Sequence, residues 1–248
     1  MIPLGAFGLE GEPVAMPGGQ GRSWRVGDVT LKQVDDVEEA AWCAAVLAAI
    51  EEDGFRVARP LPALDGSWVV DGWSAARWLE GETAAPDWTS VRRTGRRFHA
   101  ALTDVARPAL LDRRTHRWAV ADRVVWDGLQ VRLHDDRLRG WHDELLARLE
   151  PVEVVEQVVH GDLTGNVLTD AGVLDFSPYW RSPDHADAQV VVDATIWFDA
   201  PPALADGVDP QLLLRALLFR VVALDSRAHA DPAALAEAEL FAQVVRRW

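Results

Sequence analysis

Three oxygen-bearing side chains crowd one short part of the chain. The segment His160-Gly161-Asp162-Leu163-Thr164-Gly165-Asn166 lies between two apolar runs, and Asp175 follows at the end of a hairpin-like stretch. Around such a loop two carboxylates and one amide oxygen come close together. Two anionic oxygens and a neutral one suit magnesium, a hard cation that keeps several waters and takes further ligands from phosphates. A carboxylate outside the metal shell can accept a proton from a hydroxyl nucleophile. Acid-rich loops are more often plain turns, so the rest of the chain must decide.

Composition sharpens the question. Of 25 basic side chains, 24 are arginine and one is lysine, Lys32; asparagine occurs once, as Asn166, and tyrosine once, as Tyr179. Lysine is a compact point charge on a flexible stem, whereas arginine is a wide planar fork. A lone lysine marks a place where arginine does not serve. A GC-rich coding bias would leave such survivors at random positions.

The elements that must position these residues fall into two halves. Residues 1–78 read as strand-rich with one helix. Runs at 23–26 and 29–34 flank Gly27-Asp28, a hairpin signal. Ahead of them lies Pro17-Gly18-Gly19-Gln20-Gly21, a glycine loop between strands. A helix is expected over 37–52, capped by Asp35 or Asp36, with Trp42, Val46 and Ile50 at helical spacing and Gly54 at its end. Extended pieces follow at 57–64 and 67–72. Residues 73–86 read as a connector. From about Thr89 the period turns helical, with helices over 115–128, 134–149, 188–198, 209–226 and 232–246. The break at 152–176 is rich in valine and turn residues and reads as a short hairpin around Asp170-Ala171-Gly172.

The loop and Asp175-Phe176, taken with this order of elements, resemble the catalytic loop and metal-binding aspartate of protein-kinase-like phosphotransferases. Gly161 resembles the aminoglycoside-phosphotransferase branch, whose loop reads His-Gly-Asp. The resemblance spans about Gly18 to Asp193, and the glycine loop, strand lysine, glutamate-bearing helix, connector, loop and aspartate come in the family's order. It implies an α+β, bilobal protein-kinase-like fold. A small β-rich lobe over 1–78 and a hinge over 79–86 would precede a helical lobe over 87–248.

The resemblance also implies roles. Asp162 would be the catalytic base or hydroxyl-orienting residue, and Asn166 and Asp175 would bind Mg2+. Lys32 would contact the α- and β-phosphates of ATP, held by Glu39, with Glu38 as the second choice. Gly18, Gly19 and Gly21 would cover the phosphates with backbone N–H groups. Arg77, Trp78, Leu79 and Glu80 would contact adenine through the backbone. His160 would be a structural hydrogen-bonder and Asp193 a structural aspartate. Tyr179, Trp180, Arg181 and Asp184 are candidates for the acceptor side, with Asp187 facing either a cationic substrate or water.

Two departures qualify this reading. The family has four residues between aspartate and asparagine, and this chain has three: Leu163, Thr164 and Gly165. The metal aspartate is followed by Phe176-Ser177-Pro178, without the usual glycine or acid. The shortened loop supports an alternative, a pseudokinase that binds nucleotide without turnover.

Charge and composition narrow the partners. A formal net charge of −14, from 39 acids against 25 bases, repels nucleic acid and anionic lipid. It suits a neutral or cationic small-molecule hydroxyl acceptor, such as a sugar, amino sugar or aminocyclitol. The single cysteine, Cys43, excludes an internal disulfide framework and reads as a small hydrophobe. The cysteine usage and the lack of a targeting or spanning segment lead to an expectation of a cytoplasmic protein. No nucleophile elbow, His-Glu-x-x-His pair or Walker-type phosphate loop is present, and no Ala-Pro-Glu element follows Asp175. The acceptor's identity and the oligomeric state are not fixed by the sequence.

Overall fold

Alternating burial builds the first half of the chain. The computed structural model describes residues 1–16 and 21–247. Strands β1 (Val14–Ala15), β2 (Ser23–Val26) and β3 (Val29–Gln33) form an antiparallel run, with Val26 opposite Val29. Gly27, at φ 58°, supplies the left-handed conformation that the two-residue turn needs. In β3 the side chains of Val29 and Leu31 are buried, so Thr30 and Lys32 face the other side.

Helix α1 (Val37–Ala49) follows. The Asp36 carboxylate caps it by accepting from the Glu39 N–H at 3.0 Å. The helix closes at Ile50, before Gly54. Short strands β4 (Arg56–Val57), β5 (Pro60–Leu61) and β6 (Val69–Val70) lead to β7 (Trp73–Arg77). The order of the main sheet is β1-β2-β3-β7-β5, with β6 also on β7. Residues 73–77, expected as connector, are thus a central strand. Their small side chains hide the strand period, and Trp73 and Ala75 pack into the sheet's core with Leu31 and Val29.

The connector proper runs from Trp78 to α2 (Trp88–Ala101) and lies along the expected hairpin. Glu82 O accepts from the Thr169 N–H at 2.9 Å, and the Ala84 N–H donates to Val167 O at 2.7 Å. The hairpin forms, with Leu174 N–H to Asn166 O at 2.9 Å and Leu168 N–H to Gly172 O at 2.8 Å. Its second arm, β9 (Gly172–Val173), pairs in parallel with β4. The hairpin over 166–174 is therefore tied both to the connector and to the first half of the chain.

The helical half packs around α6 (Pro210–Ala230), in which residues 212–225 are all buried. A helix buried all round needs neighbours on every side. Helices α3 (Arg117–Trp126), α4 (Asp136–Ala147) and α5 (Pro183–Phe198) provide them, with α7 (Ala238–Arg247) alongside α5. Helix α5 begins earlier than its apolar run predicts, because Ser182 caps it and Pro183 opens it. Strand β8 (Gln157–His160) leads into the loop, and β10 (Pro178–Arg181) pairs antiparallel with it. Together they form an α+β, bilobal protein-kinase-like architecture: an antiparallel sheet region first and a helical part after it. Among the described residues no helix is long and apolar enough to cross a membrane.

Candidate active site

His160 is the bracket that shapes the loop. It is fully buried at the end of β8. Its Nε2 meets Leu174 O at 2.9 Å, and its Nδ1 faces the N–H groups of Asp162 at 3.2 Å and Ser177 at 3.5 Å. A carbonyl can only accept, so Nε2 carries the proton and Nδ1 accepts. One neutral tautomer thereby fixes the start of the loop and the segment after Asp175. Burial pushes the His160 pKa down, which preserves that state. The backbone N–H of His160 donates to His99 Nε2 at 3.1 Å. Burial, with His160 nearby, brings the His99 pKa down to about 3.

Close approaches explain two glycines. A Cβ on Gly161 would overlap the Tyr179 ring, and one on Gly95 of α2 would overlap Leu163. The loop is thus pressed between β10 and α2. Its shortened stretch closes as a β-turn, with Asn166 N–H to Leu163 O at 3.0 Å and Gly165 at φ 81° in the third position. Positive φ there is what a glycine supplies freely. The missing residue is absorbed, and Asn166 still reaches Asp162. Asn166 Nδ2 donates to Asp162 O at 2.8 Å and faces Asp162 Oδ2 at 3.4 Å. Because Asp162 O only accepts, the amide's orientation is determined.

Lys32 arrives from the sheet and forms an ion pair with Asp175. These two residues are 143 positions apart in sequence. Asp175 sits at φ 50°, a conformation uncommon outside glycine but tolerated by aspartate. The Lys32 and Asp175 side chains remain 41% and 51% exposed, so both are accessible to a ligand.

The expected partner of Lys32 differs. Glu39 forms a bidentate pair with Arg114, at 2.9 and 2.7 Å, and Glu38 pairs with Arg113 at 2.5 Å. Arg114 also donates to Pro178 O at 2.6 Å and lies 5.1 Å over the Tyr179 ring. Its side chain is buried, and a planar fork matches the glutamate better than an ammonium does. Helix α1 is therefore anchored to the segment after Asp175 rather than to Lys32. Nothing in the sequence picks Arg114 from 24 arginines.

Cross-strand partners share a sheet face. Thr30 opposes Arg25, and Arg25 opposes Val14, so all three lie on the Lys32 face. A cavity of about 420 Å³ opens on that face, lined by Val14, Ala15, Met16, Arg25 and Trp78. The Arg25 guanidinium lies 4.4 Å over the Trp78 ring. In the connector, Arg77 pairs with Asp28 at 2.6 Å, and the Trp78 N–H donates to Asp28 O at 2.7 Å. Leu79 packs over Gly172, and Glu80 O accepts from Arg56 at 3.3 Å. Among the described residues the N–H groups of Leu79 and Glu80 have no acceptor. Gly18 and Gly19 lie outside the described residues; Gly21 has φ 71° with open space beside it.

The residues after Asp175 form strand β10. Strand β10 runs away from the loop, since Pro178 opposes His160 and Arg181 opposes Gln157. Tyr179 is buried against Gly161, and burial pushes its phenol pKa up. Trp180 packs toward Val158 and Phe98. Arg181 is buried and held by Asp122 at 2.6 Å, Glu156 at 3.1 Å and Asp127 at 3.3 Å. The same three residues also line a cavity with Arg107, Asp122 and Asp127. Asp184 is exposed in the first turn of α5. Asp187, considered for a cationic substrate, is instead buried between Arg92 and Arg96. Asp193 is buried and paired with Arg220, a second residue that sequence reasoning missed. Cys43 is inert, its thiol pKa pushed up to about 12 by burial and by Glu39.

No cluster of three or more metal-ligating His, Cys, Asp or Glu side chains occurs among the described residues. A kinase-type magnesium site does not need one, since phosphates and waters fill most of its shell. The donor set present, the Asp175 carboxylate and the Asn166 amide oxygen, fits that mode.

Comparison with solved structures decides the fold. A choline kinase from Streptococcus pneumoniae superposes with a TM-score of 0.62 at 9% identity, covering 97% of this chain and 95% of that one. An aminoglycoside phosphotransferase from Alicyclobacillus acidocaldarius gives 0.58 at 16%, covering 100% and 92%. The fold is that of the aminoglycoside-phosphotransferase-like small-molecule kinases. A spectinomycin phosphotransferase, solved with ADP and spectinomycin, shares it at a TM-score of 0.55 and 14% identity, covering 93% and 86%. No family profile matches the chain, and no curated protein matches it in sequence.

Proposed function

We propose that the chain is an ATP-dependent kinase that moves the γ-phosphoryl group to a hydroxyl of a small molecule. The observation that carries this is the Lys32–Asp175 pair, formed across the two halves of the chain beside Asp162 and Asn166. Two of the four residue types used once, lysine and asparagine, fall there.

The nucleobase enters the cavity beside Trp78, on the sheet face that carries Lys32, and takes hydrogen bonds from the connector backbone. Gly18, Gly19 and Gly21 cover the phosphates. Lys32 exchanges Asp175 for the phosphate oxygens. Asp175 and Asn166 would hold magnesium, which when bound would supply charge neutralisation for the phosphates. Asp162 orients the acceptor hydroxyl. As the acceptor oxygen bonds to the γ-phosphorus, the bond to the β-phosphate oxygen breaks and ADP leaves. The hydroxyl proton passes to the Asp162 carboxylate. His160, neutral and internally bonded, takes no proton in this scheme.

The solved relatives of this fold include a choline kinase and a spectinomycin phosphotransferase, both named for acceptors that carry cationic groups. With the net charge of −14, this favours a neutral or cationic acceptor. The test is ADP release across a library of sugars, amino sugars, aminocyclitols, amino alcohols and anionic hydroxy acids. Acceptor-dependent release with neutral or cationic members is expected. Release with anionic acceptors alone contradicts the acceptor class. Nucleotide binding without release for any acceptor favours the pseudokinase.

A further inference from the structure

Arg220 projects from α6, the buried centre of the helical half, to the back of the catalytic loop. Its side chain is only 6% exposed. Nε donates to Asp193 Oδ1 at 2.7 Å and Nη2 to Asp193 Oδ2 at 2.5 Å. Burial opposes its charge, but the Asp193 carboxylate and its hydrogen bonds outweigh burial and hold the guanidinium pKa up. Trp118 and Trp197 flank it, with ring centres 5.3 and 5.5 Å from Cζ. Asp193 uses two of five donors. The same Nη2 lies 3.6 Å from Asp162 Oδ1. Asp162 thus has a neighbour on each side: Oδ1 faces a buried cation at 3.6 Å and Oδ2 faces the Asn166 amide at 3.4 Å.

We propose that Arg220 is a positioning residue that fixes the rotamer of Asp162, so that Oδ2 is the oxygen presented to the acceptor hydroxyl. The proposal rests on the kinase reading. The fork geometry is essential to it. One guanidinium locks onto Asp193 with two donors in a plane, which fixes Nη2 at ion-pair distance, 3.6 Å, from Asp162 Oδ1. An ammonium pairing with Asp193 has no fixed direction left for the loop. Asp193 and the indoles matter because they make the guanidinium immobile, and a mobile cation would not set a rotamer. Asp162, half exposed on a short turn, has no other charged neighbour among the described residues to hold it.

Replacing Arg220 alone would strand the buried Asp193 carboxylate and unsettle the fold. The informative variant is Arg220→Met with Asp193→Leu, which removes the pair together. Its kcat for ADP release should fall roughly 100-fold, as for a misplaced catalytic group. Nucleotide affinity and acceptor KM should stay within about twofold. Arg220→Lys, which keeps charge without the fork, should show the same split. In an Asp162→Asn background the paired replacement should change kcat by less than about twofold, because Arg220 acts through Asp162. A paired variant with full kcat overturns the proposal. So does a loss that adds fully to that of Asp162→Asn, or one shared equally by nucleotide affinity. An unaltered chain that releases no ADP with any acceptor removes the kinase reading, and this proposal with it.

Discussion

Lys32 holds an exchangeable position: its ammonium pairs with Asp175, yet both side chains stay accessible. An arginine there would keep the charge and lose the compact head that swaps a carboxylate for phosphate oxygens. Lys32→Arg should weaken nucleotide binding about tenfold, or 1.4 kcal/mol, while leaving thermal stability unchanged. Wild-type affinity by calorimetry would mean the lysine has no special role. His99 carries a second residue-scale prediction. Its folded pKa of about 3 lies below the ordinary 6.5. Between those values the unfolded chain binds a proton that the folded chain does not, so stability is full above pH 6.5 and falls as pH drops toward 3. The slope from one such histidine approaches about 1.4 kcal/mol per pH unit. His99→Gln, which can still accept from the His160 N–H, should flatten urea-measured stability against pH below 6.5; an unchanged slope contradicts the assignment. Rarity and loop spacing, which are local signals, singled out Lys32, Asn166, Asp162 and Asp175, and the structure brings Lys32 to Asp175 and Asn166 to Asp162. The partners of Glu39 and Asp162 were not legible: Arg114 and Arg220 are distant arginines among many, and only tertiary packing selects them.

At the scale of elements, the loop is held by what its glycines leave out. Gly161 admits the Tyr179 ring of β10, and Gly95 admits Leu163 against α2. Gly161→Ala should cost about 1–3 kcal/mol by overpacking and lower turnover by displacing Asp162. Gly140→Ala in α4, where a Cβ meets nothing within 4 Å, should instead stabilise by up to about 1 kcal/mol. Chemical denaturation of both variants checks the contrast, and equal effects would contradict it. The β2–β3 hairpin, α1 and the helices of the second half could be read from turn residues, caps and periodicity. Strand β7 could not, because Trp-Ser-Ala-Ala-Arg carries no alternation and becomes a strand only through its neighbours. Strand β10 escaped for a related reason. Its partner β8 precedes it by a whole hairpin, so the pairing that makes residues 178–181 a strand is not a local signal.

At the scale of the molecule, the sheet-borne Lys32 pairs with Asp175, while Asp162 lies beside Asn166 and Arg220. The proposed function gives the two carboxylates different tasks: Asp175 would offer oxygens to a metal, and Asp162 would offer an oxygen to a hydroxyl. That division is the central claim, and calorimetric titration of ATP with and without magnesium, in the unaltered chain and in Asp162→Asn and Asp175→Asn, tests it most directly. Asp162→Asn should keep magnesium-dependent nucleotide affinity within about twofold while acceptor-dependent ADP release falls roughly 10²–10⁴-fold. Asp175→Asn should lose the magnesium-dependent part of the affinity as well as turnover. Equal losses of nucleotide affinity in both variants, or binding that ignores magnesium in the unaltered chain, would contradict it.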